Sequence, residues 1–294
     1  MPAGKMLLNQ PLAKYTSWRV GGPAEQYYRP TDINDLSVFI SQLDSHQPVF
    51  WLGGGSNLLI RDGGISGTVI HLRRSLDQIR LETDGRLYVE AGVGCPQVAR
   101  FCQKNGLSGA SFLVGIPGTI GGALTMNAGA FGGETWQLVS EVELMDRQGH
   151  RQWLQSSSIQ VGYRKAEVPQ GQCFVATRLA FSATGYDDYT IMQELLERRR
   201  LSQPINIPTC GSVFKNPEAG FAAQLIERCG LKGHQIGQAR VSEKHANFIE
   251  NTGSASAEDI ELLINLIQDR VEREHSIRLE TEVRIVGEPL SPNQ

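Results

Sequence analysis

The sequence predicts a protein of mixed helices and strands that folds into two or three lobes. The chain has 294 residues, more than a single hydrophobic core usually serves. Apolar residues recur with the helical period in some segments and alternate with polar residues in others. Residues 203–208, Gln-Pro-Ile-Asn-Ile-Pro, form a rigid connector and are the best candidate for a domain boundary.

The glycine-rich segment at residues 115–134 is the most unusual part of the chain. It contains seven glycines and almost no charge. Each interior glycine costs a helix roughly 1 kcal/mol relative to alanine, so the segment is not expected to form an ordinary amphipathic helix. Glycine suits a backbone that another group approaches closely, whereas a flexible linker would be richer in serine and charge. We therefore interpret the segment as a buried lining for a flat, phosphate-bearing ligand.

A second glycine-rich turn, Gly-Gly-Gly-Ser-Asn at residues 53–57, follows a predicted helix and the predicted strand at residues 49–52. Backbone N–H groups in such a turn commonly hold phosphate. The turn lacks the Gly-Lys-Ser/Thr of a Walker loop and the spacing of a dinucleotide fingerprint. The pattern indicates a nucleotide-like ligand without naming it.

Other elements follow from periodicity and turn residues. Further strands are predicted at residues 58–60, 68–72, 78–82, 86–91, 141–146, 151–154, 173–181 and 277–286. Helices are predicted from Thr31 or Asp32, at residues 96–104 and 222–229, from Asp187 with Ile191, Met192, Leu195 and Leu196 inward, and from Ala257 with Ser256 as its cap. Residues 161–165 are predicted to form a basic loop.

Composition narrows the function classes. The chain has 40% hydrophobic residues, 20% charged residues and a net charge of −3, which argues against nucleic-acid binding. Its five cysteines are odd in number and lack C-x-x-C spacing, so a reducing compartment is expected, with neither disulfides nor a metal. Without a signal peptide or a membrane-length apolar run, we expect a cytoplasmic protein with no membrane insertion and no obligate protein partner.

The polar candidates do not name a reaction by themselves. Ser212 lacks the Gly-x-Ser-x-Gly elbow of a hydrolase, and a single histidine such as His245 is more often structural than catalytic. A carboxylate on an alternating strand usually belongs to a solvated sheet face. The candidates that stand out are Arg164, Ser212, Lys215, Asn216 and Glu282.

Six motifs occur in order between about residues 15 and 287. They are Gly-Gly-Gly-Ser-Asn-Leu-Leu (53–59), Gly-Ile-Pro-Gly-Thr-Ile-Gly-Gly-Ala (115–123) with Asn-Ala-Gly (127–129), Tyr-Arg (163–164), Gly-Ser-Val-Phe-Lys-Asn-Pro (211–217), Lys-His-Ala-Asn-Phe (244–248) and Leu-Glu-Thr-Glu-Val-Arg (279–284). Together they resemble the UDP-N-acetylenolpyruvoylglucosamine reductases (UDP-N-acetylmuramate dehydrogenases), flavoenzymes of bacterial cell-wall synthesis. Ser212 lies only 48 positions after Arg164 (212 − 164), a spacing that resembles the shorter type without a substrate-covering insertion.

The resemblance implies an α+β fold, with a two-subdomain FAD-binding unit of the vanillyl-alcohol oxidase/p-cresol methylhydroxylase class and a C-terminal α+β substrate domain. The expected parts are FAD subdomain 1 at residues 1–70, FAD subdomain 2 at residues 71–203 and a UDP-sugar domain at residues 204–294. The implied cofactors are FAD and NADPH, and the implied reaction reduces UDP-N-acetylglucosamine enolpyruvate to UDP-N-acetylmuramate. The alternatives are an FAD-dependent oxidase of another substrate and a non-enzymatic module that binds flavin or another nucleotide.

The resemblance also implies residue roles. It places Arg164 and Glu282 at an enolate-like intermediate and makes Ser212 the proton donor to carbon. The implied substrate-binding residues are Tyr163, Lys215, Asn216 and His245. The implied FAD contacts are Gly53, Gly54, Gly55, Ser56, Asn57, Leu58, Gly115, Gly118, Thr119, Gly121, Gly122, Asn127, Ala128 and Gly129.

Overall fold

A computed structural model of the chain describes residues 1–181 and 188–290. Their contacts divide the chain into two compact units. Unit 1 comprises Met1–Leu7, Tyr27–Gly54 and Thr68–Arg199, and unit 2 comprises Leu8–Gln26, Gly55–Gly67 and Arg200–Gln294. Each unit is therefore assembled from segments that are distant in sequence.

The described residues contain both helices and strands throughout. The α-helices are α1 (Ile33–Ser41), α2 (Cys95–Lys104), α3 (Ile120–Met126), α4 (Asp188–Ser202), α5 (Ala222–Arg228) and α6 (Ala257–His275). The strands are β1 (Lys5–Pro11), β2 (Pro23–Arg29), β3 (Val49–Leu52), β4 (Leu58–Ile60), β5 (Ile65–His71), β6 (Ile79–Leu81), β7 (Leu87–Glu90), β8 (Gly129–Ala130), β9 (Gly133–Glu134), β10 (Val139–Met145), β11 (Arg151–Gln155), β12 (Val161–Gly162), β13 (Lys165–Ala166), β14 (Cys173–Leu179), β15 (Gln235–Ile236), β16 (Ala239–Val241), β17 (Ile249–Asn251) and β18 (Arg284–Val286).

Two larger sheets organise the N-terminal two thirds of the chain. An antiparallel sheet in unit 1 has the order β11-β10-β14-β7-β6, and a four-stranded sheet has the order β1-β2-β5-β3. Strands β3 and β5 are parallel, with Val49 opposite Thr68 and Leu52 opposite His71. Unit 1 has two hydrophobic clusters, one around α2 and α3 and the other around α1.

Unit 2 is built around α6. This helix buries one face (Ile260, Leu263, Ile264, Ile267 and Val271), which confirms the face predicted from its periodicity. The unit also contains the three-stranded antiparallel sheet β15-β16-β17 and the parallel pair β4-β18. Trp18 is fully buried in the same cluster, and its indole N–H donates to the Ile249 carbonyl over 2.7 Å.

The expectation that residues 115–134 lack an ordinary helix is wrong for the two turns of α3. Helix α3 buries Ile120, Ala123 and Leu124, and this burial outweighs the poor intrinsic propensity of its glycines. A Cβ on Gly121 would lie 2.9 Å from Cβ of Ala91, so this glycine lets the helix pack closely.

The final predicted strand is much shorter than expected. Only Arg284–Val286 of residues 277–286 forms a strand, and it pairs with β4. Upstream, Thr281 forms an isolated bridge with Phe214, and the amides of Glu282 and Val283 both point to the Val213 carbonyl. This doubled pairing interrupts the ladder that strict alternation predicted.

Two other local predictions also need correction. Residues 161–166 form the hairpin β12–β13 instead of a loop. On α4, Met192 is buried as predicted, but Ile191 and Leu196 are 36% and 37% exposed. The start predicted for this helix, at residue 187, lies outside the described residues. No helix within residues 1–181 or 188–290 is long and apolar enough to cross a membrane.

Candidate functional site

In unit 1, the first two glycines of residues 53–57 lie against the second glycine-rich stretch. A Cβ on Gly53 would lie 2.5 Å from the Thr119 hydroxyl oxygen, and one on Gly54 would lie 3.2 Å from Cα of Gly118. The first distance is shorter than side chains tolerate, so the contact between the stretches requires glycine. The structure therefore brings together the first two glycines of residues 53–57 and the segment at Gly118 and Thr119.

Thr119 carries an uncompensated hydroxyl at this contact. The residue is 1% exposed, and its Oγ1 has no hydrogen-bond partner among the described residues. It precedes α3 but does not cap it through its side chain. A buried hydroxyl without a partner costs about 1–3 kcal/mol, so it is suited to receive a ligand. Beside it, a Cβ on Gly122 would lie 3.8 Å from the Thr119 hydroxyl oxygen, an ordinary van der Waals distance.

Other glycines of the segment serve protein packing. A Cβ on Gly115 would lie 2.5 Å from the ring of Phe131, and one on Gly133 would lie 2.6 Å from the ring of Phe112. Together with Gly121 against Ala91, these contacts show that close approach by the protein itself explains part of the glycine density.

His71 supports the first glycine turn and was not singled out from the sequence. Its ring is buried, and Nδ1 lies 2.7 Å from the Tyr27 hydroxyl. Burial, and then the positive charge of Arg29, lower the pKa of His71 from 6.5 to about 4, although a hydrogen bond with the Gly53 backbone opposes them. The ring is therefore neutral at physiological pH. In the sequence, His71 stands within the strand predicted at residues 68–72, and a histidine in a predicted strand that follows a glycine-rich turn could have been noted there.

Tyr163 and Arg164 form the turn of the β12–β13 hairpin. Arg164 has φ of 56°, and its Nη1 and Nη2 donate to the carbonyls of Asn127 and Gly129, each over 3.4 Å. The Tyr163 side chain is 53% exposed, and its ring centre lies 5.0 Å from the guanidinium carbon. From the sequence pattern alone, this turn was predicted to be an ordinary basic loop.

Residues 127–129 were predicted to contact FAD, but their polar groups also make contacts within unit 1. The Ala128 amide donates to the Ala123 carbonyl over 2.9 Å. The Ala128 carbonyl accepts from the amide and the hydroxyl of Thr135, over 3.0 and 2.7 Å. As cofactor contacts, Asn127, Ala128 and Gly129 stay predictions.

In unit 2, Asn247 holds the loop that carries Ser212. The Asn247 carbonyl accepts from the Val213 amide over 2.9 Å. Its side chain accepts from the Phe214 amide over 2.9 Å and donates to the Phe214 carbonyl over 2.8 Å. Ser212 itself is partly exposed, and a Cβ on neighbouring Gly211 would have nothing within 4 Å. Asn247 lies within the Lys-His-Ala-Asn-Phe motif, but only the fold reveals its contacts.

Glu282 lies beside this loop. Its amide donates to the Val213 carbonyl over 2.8 Å, so its backbone is opposite the residue that follows Ser212. Asn57 Nδ2 donates to the Glu282 carbonyl over 2.9 Å. Burial, and then the charge of Glu282, raise the pKa of the Cys210 thiol well above 9.0, so the carboxylate acts near Cys210. Unit 2 thus brings Ser212, Glu282 and Asn57 close together.

The candidate substrate residues of unit 2 already have partners. Lys215 Nζ pairs with the Glu280 carboxylate, and Asn216 Oδ1 accepts from the Ala222 amide over 3.1 Å. His245 Nδ1 accepts from the Asn247 amide over 3.3 Å, which leaves the proton of a neutral ring on Nε2. Burial lowers the pKa of His245. The remaining predicted FAD contacts in this unit are Gly55, Ser56 and Leu58, at the start of β4.

Comparison with known proteins supplies the family. Residues 203–286 match the model of the C-terminal domain of UDP-N-acetylenolpyruvoylglucosamine reductase, and residues 24–155 match an FAD-binding domain. The UDP-N-acetylenolpyruvoylglucosamine reductase of Methylococcus capsulatus is 52% identical over 97% of this chain and 94% of its own length. That of Legionella pneumophila (strain Corby) is 50% identical over 97% of this chain and 93% of its own length. The chain belongs to the UDP-N-acetylenolpyruvoylglucosamine reductase family.

A solved structure agrees with this assignment. The crystal structure of the family member from Thermus caldophilus superposes with a TM-score of 0.82 at 32% identity, covering 96% of this chain and 98% of that one. The resemblance inferred from the six motifs is confirmed. So is the predicted α+β fold, in which an FAD-binding domain precedes the reductase C-terminal domain.

Proposed function

We propose that this chain is an FAD-containing, NADPH-dependent oxidoreductase that reduces UDP-N-acetylglucosamine enolpyruvate to UDP-N-acetylmuramate, a peptidoglycan precursor. The observation that carries the proposal is identity of about 50% to reductases of this name over nearly the whole chain. The alternative of an FAD-dependent oxidase is not favoured, because these relatives are named as reductases.

The residues of unit 1 fit FAD. Gly53, Gly54 and Gly118 leave bare backbone where the two stretches meet, and the partnerless Thr119 hydroxyl lies at the same place. When bound at these residues, FAD would supply the hydride chemistry that couples NADPH to the enolpyruvyl double bond. We also propose the other FAD contacts that the resemblance implies, namely Gly55, Ser56, Asn57, Leu58, Gly115, Gly121, Gly122, Ala128 and Gly129.

Side chains of this protein would then stabilise the negative charge of the intermediate and donate the proton to carbon. Adding hydride builds negative charge next to the substrate carboxylate, and preorganised polar groups must meet that charge. We assign Arg164 and Glu282 to this enolate-like intermediate. We assign Ser212 as the donor of the proton that completes the new C–H bond, since such an intermediate is basic enough to accept a proton from a neutral hydroxyl. The rigid Val213–Asn247 contact supports a fixed position for Ser212.

Substrate binding is assigned to Tyr163, Lys215, Asn216 and His245. Lys215 is paired with Glu280, whose side chain is 73% exposed, so a substrate phosphate could replace that carboxylate at modest cost. We further propose the division into parts at residues 1–70, 71–203 and 204–294. The five cysteines are buried. From their odd number and spacing in the sequence we propose a reducing, cytoplasmic location.

Turnover tests the proposed reaction directly. Purified protein should contain releasable FAD and should oxidise NADPH only when the enolpyruvyl UDP-sugar is present. The measurement is NADPH absorbance with and without that substrate, with product mass as a second readout. Oxidation that depends on oxygen alone would instead support the oxidase alternative.

A serine variant tests the proton-donor assignment. Ser212→Ala should leave the rate of flavin reduction by NADPH unchanged and slow overall turnover by at least about 10²-fold, the low end for a positioned proton donor. Stopped-flow absorbance measures the first rate and steady-state assays the second. Ser254→Ala, at an exposed serine of the same unit, is the control and should match the wild type. Equal loss in both rates for Ser212→Ala would refute the assignment.

A further inference from the structure

Asn127 occupies a conformation that few residue types tolerate. It ends α3 with φ of 41° and ψ of 53°, in the left-handed region, and is 3% exposed. Asparagine and glycine are the residues that most readily adopt this conformation at a helix end. The backbone there turns sharply, so the side chain and the carbonyl of Asn127 can serve different neighbours.

The side chain of Asn127 joins three segments of unit 1. Its Nδ2 donates to Glu134 Oε2 over 2.9 Å and to the Gly162 carbonyl over 3.2 Å. Its Oδ1 accepts from the Trp136 amide over 3.3 Å. A primary amide has two N–H donors, and both are used within the protein. This side chain therefore has no N–H left to donate to the cofactor, although the residue lies in the glycine-rich segment.

The same residue also contacts Arg164 through its backbone. Arg164 Nη1 donates to the Asn127 carbonyl, and Nη2 donates to the carbonyl of Gly129, each over 3.4 Å. A Cβ on Gly129 would lie 2.7 Å from the Gly133 carbonyl oxygen and 3.0 Å from Arg164 Nη1, so glycine relieves crowding at this carbonyl and at the guanidinium. The two backbone carbonyls accept from different nitrogens of the guanidinium, so together they define its orientation.

We propose that Asn127 is a positioning residue for Arg164. It fixes both ends of the arginine side chain: the amide anchors the turn at Gly162, two residues before Arg164, and the carbonyl meets the guanidinium. The inference rests on the proposed role of Arg164 at the substrate. It separates Asn127 from the cofactor contacts that its place in the sequence suggested.

Asn127→Gly is the decisive variant, because glycine adopts the left-handed backbone readily and keeps the carbonyl, while all three side-chain hydrogen bonds are lost. Small misplacements of catalytic groups are costly, about 10²-fold for 1 Å, so turnover of the enolpyruvyl UDP-sugar should fall at least about 10-fold. The FAD dissociation constant, from flavin fluorescence, and the rate of flavin reduction by NADPH should both stay at wild-type values.

Asn105→Gly is the matched control. Asn105 also ends a helix of unit 1, α2, and its side chain donates to the Phe101 carbonyl at the surface. This variant should match the wild type in turnover, FAD affinity and flavin reduction. If it slowed turnover as Asn127→Gly does, the effect would reflect general loosening of helix ends and would overturn the proposal.

Arg164→Ala separates failure of this inference from failure of the proposed role of Arg164. Normal turnover by Arg164→Ala would remove the proposed role and this inference with it. Slow turnover by Arg164→Ala with normal turnover by Asn127→Gly would overturn this inference alone. If Asn127 acts through Arg164, the double variant should be no slower than Arg164→Ala. Weaker FAD binding by Asn127→Gly would make Asn127 a cofactor contact instead.

Discussion

At the residue scale, the glycine-rich segment contains residues that pack against the protein itself and one buried hydroxyl, that of Thr119, that is suited to bind a ligand. Gly115 and Gly121 lie against Phe131 and Ala91, where protein atoms fill the space that a Cβ would need. Thr119 lies against Gly53, and its Oγ1 has no partner within the described chain. Desolvating this group without a hydrogen bond destabilises the protein without ligand, and a ligand that bonds to it recovers that free energy.

Thr119→Val should therefore have opposite effects on the two states. Valine has nearly the same shape and no hydroxyl, so the free energy of unfolding of the FAD-free protein should rise by about 1 kcal/mol. FAD affinity should fall about 10-fold, since one hydrogen bond is lost. Denaturant unfolding of the apoprotein and flavin fluorescence titration measure the two quantities.

Thr119→Ser is the control for that substitution. It retains the hydroxyl, so FAD should bind within a few-fold of the wild-type affinity. Unchanged FAD affinity in Thr119→Val would show that the hydroxyl does not contact the cofactor and would remove Thr119 from the proposed set.

The catalytic roles of individual residues could be predicted from the sequence only through the resemblance to the family. The backbone of Glu282 lies next to the Ser212 loop because the Val213 carbonyl accepts from the Glu282 amide, a pairing between distant segments that no local period encodes. Arg164 had an ordinary explanation as part of a basic loop, and its contacts with Asn127 and Gly129 depend on two left-handed residues. Local patterns could nominate these side chains but not bring them together.

At the element scale, predictions succeeded where one element determines its own pattern. Helix α6 has a continuous apolar face and the cap Ser256, and both occur as predicted. The last strand was predicted too long. Residues in the alternating stretch 277–283 pair irregularly with residues 213–215 and do not form a regular ladder. Helix α3 was missed because burial of its few apolar side chains outweighs propensity.

The N-terminus of α6 has a second cap that the sequence did not reveal. Ser256 Oγ accepts from the Asp259 amide over 2.9 Å. The two Asp62 oxygens accept from the amides of Ala257 and Glu258, each over 3.0 Å. Three of the first amides of the helix, which have no partner within the helix, are thus bonded by side chains. A carboxylate at this end also complements the helix dipole.

Ser256→Ala and Asp62→Ala should each lower the free energy of unfolding by about 1 kcal/mol, the usual effect of losing a cap. Because they serve different amides, the double variant should lose nearly the sum. Urea unfolding followed by circular dichroism measures the change, and Ser254→Ala is the control. A double variant as stable as either single variant would mean that the two caps act as one unit and do not contribute independently.

At the scale of the whole molecule, the dependence of stability on pH reflects groups whose pKa changes on folding. Burial, then Arg29, lower the pKa of His71 to about 4. Burial would raise the pKa of Asp35, but hydrogen bonds from Tyr28 and backbone amides outweigh it and lower that pKa. Burial raises the pKa of Glu90. These groups act in different pH windows and in different directions.

The signs follow from which state binds the proton. Between pH 6.5 and about 4 the unfolded chain protonates His71 and the folded chain does not, so stability falls as pH decreases. The Asp35 contribution is present above its unfolded value and is lost as pH falls through its lowered folded pKa. Glu90 acts oppositely, since its contribution is present in acid and is lost as pH rises through its raised folded pKa.

His71→Gln should flatten the pH dependence in the window where His71 dominates. A pKa lowered from 6.5 to about 4 corresponds to roughly 3 kcal/mol of stability lost on acidification, and glutamine, which does not titrate, removes that loss. Unfolding midpoints in urea, measured from pH 7 down to about pH 4, should therefore fall less steeply for the variant than for the wild type. His46→Gln, at an exposed histidine of the same unit, should keep the wild-type slope. If His71→Gln also kept that slope, His71 would not be the buried neutral group that makes the folded chain acid-sensitive.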